Sequence, residues 1–367
     1  MAKEKIVVEG GTPLAGEVHI SGAKNSALKL IAAALLGQGE SAIHNVPLIS
    51  DIVVMSKVIE TLGGSVRRDG HTLHVDTAGV DTWETPYELV SKMRASISVL
   101  GPLVARFGKA RVAMPGGCNL GARKIDMHMV GMEALGVHFH TDHGYIEAST
   151  PNGLHGAYVA LDFPSVGATE NTMMCAVTAK GQTVIENAAR EPETVRGIDP
   201  SFLRMALMKL SAMGCSVDVG DDSITVSRKG PLLPTDIQTL PHPGFPTDLQ
   251  AQFMLLASVA SGNSVITENV FENRFMFAAE IGRMGAEITI EDHHAVVEGV
   301  PSLQGASVKA TDLRCGAALV LAGIFAEGET QVHNIYHIDR GYEDYVGKLT
   351  GLGANVRRVP DEDDIDW

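Results

Sequence analysis

A repeated unit constrains the fold of this chain more than any other feature of its sequence. Each copy reads strand, helix, strand, helix and two short strands. Two marks recur, an Asn ending the second strand and a Gly closing the second helix. In the first copy Ala27 to Leu36 predicts an apolar helix and Ser41 to Asn45 a strand. Asp51 to Leu62 then predicts an amphipathic helix with Ile52, Met55, Ile59 and Leu62 on one face, stopped by Gly63 and Gly64. Further copies run over Glu88 to Glu147 (with a Gly-Gly-Cys loop in place of the Asn turn), Thr169 to Val226, Thr247 to Val297 and Asp312 to Arg358, five in all. Ala317 to Phe325 and Phe253 to Ala260 are apolar almost all round and belong inside. Alternating strands at Val18 to Ile20, Tyr158 to Ala160 and Val308 to Ala310 are expected to wrap them.

The third copy is irregular. From the strand-ending Asn to the helix-closing Gly there are 18 positions between Asn45 and Gly63, 16 between Asn269 and Gly285, and 19 between Asn334 and Gly353. Between Asn187 and Gly214 there are 27. The copy reads as the front half of one unit, through Val195, joined to the back half of another from about Asp199; a longer loop would give the same count.

Lys and Arg number 29 against 44 Asp and Glu, a formal net charge of −15, which argues against general binding to nucleic acid or to an anionic membrane. An anionic ligand must therefore meet basic residues gathered locally. The longest apolar run, Ala27 to Gly37, is broken by Lys29 and falls short of the roughly 18 residues of a membrane span. Met1 to Lys5 leads into strand-like Ile6-Val7-Val8 without a signal-peptide core, so the expected location is the cytoplasm. Cys118, Cys175, Cys215 and Cys315 show neither metal-ligand spacing nor a dense disulfide framework. His138, His140 and His143, with no HExxH-type companion, read as solvated histidines.

Chemistry concentrates in a few short tracts. Gly116-Gly117-Cys118-Asn119-Leu120-Gly121-Ala122-Arg123 sets a thiol and a guanidinium five residues apart on a glycine-rich hinge, a loop able to fold over a bound anion. Cys118 there can act as nucleophile or proton donor, although a lone glycine-flanked Cys is more often a small residue filling a turn. Gly22-Ala23-Lys24-Asn25 places a Lys and an amide at a helix N-terminus, which suits an anion and equally suits a capped helix with a surface Lys. Pro246-Thr247-Asp248 opens another helix, with Asp248 either a first-turn carboxylate or a base facing a hydroxyl. Arg94, Arg274, Arg314 and Arg340 each lie near a helix start or in the turn before one, where a surface ion pair is the commoner role for any one of them.

Taken together, these tracts resemble the UDP-N-acetylglucosamine 1-carboxyvinyltransferases of the enolpyruvyl transferase family over nearly the whole chain. The likeness is carried, in order, by Ser21-Gly22-Ala23-Lys24-Asn25, Met93-Arg94-Ala95-Ser96, the Gly116 to Arg123 loop, Glu186-Asn187-Ala188-Ala189-Arg190-Glu191-Pro192-Glu193, Phe245-Pro246-Thr247-Asp248, Phe271-Glu272-Asn273-Arg274-Phe275, and His337-Ile338-Asp339-Arg340-Gly341-Tyr342-Glu343. The resemblance implies an α/β fold of two lobes, each an inside-out α/β barrel of βαβαββ units, with a site in the cleft between them. Residues 22–195 are expected to form the first lobe, and 1–21 plus 196–367 the second.

The implied reaction moves the enolpyruvyl group of phosphoenolpyruvate to the 3-hydroxyl of UDP-N-acetylglucosamine with release of phosphate, the first committed step of peptidoglycan synthesis, with no metal or organic cofactor. By motif match Cys118 would protonate the enol carbon or form a covalent adduct, and would be the thiol that fosfomycin alkylates. Asp248 would deprotonate the sugar hydroxyl. Lys24, Arg123 and Arg340 would hold the phosphate of phosphoenolpyruvate, and Arg314 its carboxylate. Asn25, Arg94, Ser165, Val166, Gly167, Val270, Phe271 and Arg274, with the stretch Arg123, Lys124, Ile125, Asp126 and Met127, would meet the UDP-sugar. Asn119-Leu120 and Lys124 depart mildly from the family's usual residues; five recognisable units where the family has six is the larger departure. Two other readings stay open. An enolpyruvyl transferase for another acceptor is opposed by the Gly-Gly-Cys and Ala-Lys-Asn tracts, and a non-catalytic or deletion-impaired UDP-sugar binder is motivated by the irregular third copy.

Overall fold

The structure is a computed structural model describing residues 3–90, 93–114, 125–189, 200–220, 224–228 and 230–362. The chain opens with β1 (Glu4–Glu9). The first copy follows as α1 (Lys24–Ala33), β2 (Glu40–Ile43), α2 (Ser50–Thr61), β3 (Ser65–Asp69) and β4 (Thr72–Asp76), with its strands in the order β2-β4-β3. The next has α3 (Tyr87–Val90), a 3-10 helix Arg94–Val99, α4 (Leu100–Phe107), β5 (Lys109–Ala113), α5 (Asp126–Glu133), β6 (His138–Asp142) and β7 (Tyr145–Ser149), in the same order β5-β7-β6. Then come β8 (Tyr158–Ala160), α6 (Val166–Ala176) and β9 (Val184–Glu186), whose two strands form a parallel pair. After them α7 (Arg204–Ala212) leads to β10 (Cys215–Val219) and β11 (Ile224–Arg228), an antiparallel pair.

The remaining copies are more complete. β12 (Ile237–Gln238), α8 (Gln250–Ala257), β13 (Asn263–Thr267), α9 (Met276–Gly282), β14 (Glu287–Glu291) and β15 (His294–Glu298) give a four-stranded sheet in the order β12-β13-β15-β14. The last copy contains β16 (Ser307–Lys309), α10 (Leu313–Phe325), β17 (Glu329–His333), α11 (Tyr336–Asp339), α12 (Tyr345–Gly351) and β18 (Asn355–Pro360). Its sheet runs β16-β17-β1-β18, so β1 takes the place that β15 holds in the sheet before it, with Ile6 opposite both Val332 and Arg358.

The recurring marks have a backbone cause. Asn45, Asn187 and Asn334 all take φ of 56°, a left-handed conformation that Asn tolerates better than most residues. Gly63, Gly214, Gly285 and Gly353 close their helices at φ between 87° and 100°, where a Cβ would be strained. Val18 to Ile20, by contrast, is not a strand: among the described residues the three have no strand partner, Ile20 is 78% exposed, and the chain passes there from one compact body to the other. Three alternating residues carry no information about a partner, and a strand without one gains no ladder bonds.

Two compact lobes result, the described residues of one being 20–90, 93–114 and 125–189, and those of the other 3–19, 200–220, 224–228 and 230–362. In the first, Leu28, Ile31 and Leu35 of the α1 segment pack with Ile52, Met55, Ile59 and Leu62, all fully buried. In the second, α10 is buried nearly all round, with Leu319 and Val320 fully enclosed. Each such aliphatic side chain contributes roughly 1.5–3 kcal/mol by leaving water. The irregular third copy is divided between the lobes, β8 and β9 going with the first and β10 and β11 with the second.

Candidate functional site

The second lobe gathers an acid and two guanidinium groups at the start of two neighbouring helices. α8 and α10 pack against each other. Asp248 lies in the 3-10 turn Thr247–Leu249 that leads into α8, and Arg314 is the second residue of α10. Asp312 caps α10 through Oδ1, which accepts hydrogen bonds from the backbone N–H of Arg314 at 2.8 Å and of Cys315 at 3.1 Å. That cap fixes where the Arg314 side chain leaves the backbone. Its Nη2 donates to Asp248 Oδ2 at 2.7 Å, and its Nη1 donates to the Tyr342 hydroxyl at 3.1 Å. Arg274, in the turn before α9 and 4% exposed, donates from Nη2 to Asp248 Oδ1 at 3.2 Å and lies over the Phe271 ring.

Asp248 thus spends one oxygen on each arginine while its side chain stays 45% exposed and within reach of a ligand. Burial among its neighbours acts to raise its pKa. The charges of Arg314 and Arg274, reinforced by their hydrogen bonds, outweigh that and hold the carboxyl well below the usual range. Arg340 caps the C-terminal end of α11, half-buried beside His337. The His337 pKa is pushed down to about 4 by burial first and then by the Arg340 charge, with Asp312 opposing. His337 lines a cavity of about 390 Å³ together with Met276, Glu280, Lys309 and Thr311. None of Asp248, Arg274 and Arg314 lines it, so it is separate from the acid-guanidinium cluster.

A second, buried carboxylate, with no sequence motif to mark it, is tied to the residue before Asp248. Glu268, 3% exposed, accepts hydrogen bonds at Oε1 from the N–H groups of Val270 (2.8 Å) and Phe271 (3.0 Å) and from the Thr239 hydroxyl (2.9 Å). Its Oε2 accepts from the Thr247 hydroxyl at 2.9 Å. An acid directly before the unit's marker Asn269, just past the end of β13, was the available signal. Tyr342 and Thr247 stood inside recognised tracts without a role.

The first lobe holds the other group of expected residues. Lys24 begins α1, and its ammonium pairs with Asp51, a buried acid in the first turn of α2. Gly22 lets the chain before α1 run against the backbone that follows β2, since a Cβ there would sit 1.8 Å from the Asn45 carbonyl oxygen. Asn25 is exposed in the first turn. Ser165 caps α6, with Val166 and Gly167 as the first helical residues, and a Cβ on Gly167 would press on the His128 ring. Asn171, fully buried on α6, joins three elements: its Nδ2 donates to the Ile97 carbonyl and to His128 Nδ1, and its Oδ1 accepts from the Gly101 N–H. That network holds α5, with Ile125 preceding it and Asp126 and Met127 in its first turn, against α6 and the 3-10 helix that begins at Arg94.

Cys118, Arg123 and Lys124 lie outside the described residues. Among the described cysteines, burial pushes the thiols of Cys175 and Cys315 up to about 12, which leaves them protonated and unreactive. Among the described residues no group of three or more His, Cys, Asp or Glu is placed to hold a metal ion, and no helix is long and apolar enough to cross a membrane.

Comparison with known proteins adds a family. The profile of EPSP synthase (3-phosphoshikimate 1-carboxyvinyltransferase) matches residues 8–199 and 194–349, two stretches that meet in the irregular third copy. A UDP-N-acetylglucosamine 1-carboxyvinyltransferase 2 of Carboxydothermus hydrogenoformans is 46% identical over 98% of this chain and 100% of its own. A UDP-N-acetylglucosamine 1-carboxyvinyltransferase of Desulfatibacillum aliphaticivorans is 44% identical over 97% and 100%. Those alignments span 419 and 415 positions, more than 367 residues can fill, so both relatives carry chain that is missing here. Among solved structures, the enolpyruvyl transferase NikO from Streptomyces tendae superposes with a TM-score of 0.85 at 25% identity, covering 98% of this chain and all of its own.

Proposed function

The chain belongs to the EPSP synthase family of carboxyvinyltransferases, and from that membership we propose the reaction of its UDP-N-acetylglucosamine branch, carried out in the cytoplasm as the entry to peptidoglycan synthesis. The enzyme transfers the enolpyruvyl group of phosphoenolpyruvate to the sugar 3-hydroxyl. The hydroxyl oxygen bonds to C2 of phosphoenolpyruvate as a proton is added at C3. Loss of a proton from C3 then expels phosphate from C2 and restores the double bond.

One observation carries the assignment of roles: Asp248 and Arg314, 66 residues apart in sequence and matched to a base and an anion-binding arginine, are in direct contact at 2.7 Å. In this reading Asp248 takes the hydroxyl proton and Arg314 receives the carboxylate of phosphoenolpyruvate. Lys24, Arg123 and Arg340 hold its phosphate, and Cys118 serves at C3 or as a covalent nucleophile. The sugar nucleotide is met by Asn25, Arg94, the stretch 123–127, Ser165 to Gly167, Val270, Phe271 and Arg274. While both guanidiniums hold Asp248 it is ionised but a weak base. Engagement of Arg314 by a substrate carboxylate draws one cation away and strengthens the base as the second substrate arrives.

Phosphate release with both substrates present tests the reaction, and binding of UDP-N-acetylglucosamine without release would reject it. Intact-mass measurement after fosfomycin treatment tests Cys118. One adduct, absent in Cys118→Ala, is expected; a mass unchanged by the reagent removes the thiol from the site.

A further inference from the structure

We propose that Glu268 is a positioning residue that locks the base segment to the sugar-binding turn, so that Asp248 and the acceptor hydroxyl keep a fixed separation. The inference rests on the carboxyvinyl transfer proposed above. Its basis is the set of groups that a single buried carboxylate joins. Oε1 takes the consecutive N–H groups of Val270 and Phe271 and so shapes the turn after β13. The same oxygen takes the Thr239 hydroxyl, and Thr239 Oγ1 in turn accepts from the Asn269 N–H at 3.0 Å, tying the turn to the end of β12. Oε2 takes the hydroxyl of Thr247, the residue directly before Asp248.

Two independent segments therefore meet on one side chain. From one of them projects Asp248; the other continues to Arg274, which returns to Asp248 Oδ1. The loop of contacts from Glu268 through Thr247 to Asp248, and back through Arg274 and the 270–271 turn, is closed. A buried carboxylate demands such donors, since leaving it unpaired is costly. The same demand makes it a rigid joint: each of its oxygens is committed, and neither segment can shift without stranding a buried acceptor. A positional error of about 1 Å at a reacting group can cost on the order of a hundredfold in rate, so a joint of this kind acts on turnover more than on binding.

The two arms can be cut separately. Thr247→Val keeps the shape of the side chain and removes only the arm to the base segment. Its expected effect is a fall in kcat of about tenfold with the KM for UDP-N-acetylglucosamine unchanged. Glu268→Ala removes both arms; the Val270 and Phe271 amides should lose hydrogen-exchange protection and affinity for UDP-N-acetylglucosamine should fall by at least about tenfold. Glu268→Gln should restore most of both properties, because its amide oxygen can accept from the two N–H groups while its NH2 donates to the Thr247 oxygen. Each variant is compared at equal folded fraction, read from its thermal transition. An unchanged kcat in Thr247→Val overturns the proposal, as does a kcat loss that only follows the folded fraction, or a Glu268→Ala protein whose two amides remain protected. Failure of the wild type to release phosphate would overturn the reaction instead; Glu268 is then judged on amide exchange and sugar-nucleotide affinity, which need no turnover.

Discussion

Arg314 Nη2 donates to Asp248 Oδ2 at 2.7 Å, and the same guanidinium reaches the Tyr342 hydroxyl through Nη1. Asp248→Asn keeps the size of the side chain but cannot take a proton, so turnover is expected to fall by about 10²–10⁴. Affinity for UDP-N-acetylglucosamine, measured by calorimetry, should stay within a few-fold. Retained phosphate release in Asp248→Asn would remove this residue from the base role.

Arg314→Lys tests whether the fork geometry matters. A lysine ammonium is a point charge on a flexible stem and cannot span Asp248 and Tyr342 with two fixed donors while presenting a flat face to a carboxylate. The expected result is a rise in the KM for phosphoenolpyruvate of at least about tenfold, with the KM for the sugar nucleotide little changed. Equal rises in both would mean that the variant disturbs the fold and not a single subsite.

His337 makes stability depend on pH. Its folded pKa is about 4, below the ordinary histidine value of 6.5, because burial and Arg340 disfavour the charged ring. As pH falls below 6.5 the unfolded chain takes up the proton first, so the stability held by the neutral ring is present above 6.5 and is lost between 6.5 and about 4. Urea midpoints of wild type and His337→Gln should therefore converge as pH drops through that window. Parallel curves would mean that His337 does not titrate differently in the two states.

Much of this was legible beforehand for a physical reason. Helices such as α2 and α10 announce themselves through the spacing of Ile52, Met55 and Ile59 or through unbroken apolarity, and the Gly marks together with Asn45, Asn187 and Asn334, though not Asn269, follow from left-handed backbone positions that few other residues accept. Asp248, Arg274 and Arg314, whose side chains the structure brings into contact, drew notice because they sit at or just before helix starts inside recognisable tracts. Glu268 and Asn171 were not, since their importance lies in which distant N–H and carbonyl groups they meet, and nothing local encodes that. Val18 to Ile20 failed for the converse reason, a local alternation with no strand partner among the described residues.

The divided third copy leads to a prediction about where the protein opens first. In the complete sheet, the front pair β12–β13 is joined to the hairpin β14–β15 through β13 and β15. β9 and β11 hold the corresponding positions, yet among the described residues each is hydrogen-bonded within a two-stranded pair only, and the pairs belong to different lobes. Two-stranded pairs are marginal by themselves in water. Apolar side chains left exposed on these half-units include Tyr158, Met173, Val184, Met208, Val219 and Val226. Amides of β10 and β11 are therefore expected to exchange at least about a hundredfold faster than those of β13 and β15 in native-state hydrogen exchange. Inserting one unit's worth of chain from a longer relative between β9 and α7, back half first and front half second, should slow that exchange and raise the urea midpoint. If β11 in the present chain already exchanges as slowly as β13, its edge is covered by something else and the half-unit is not the weak point.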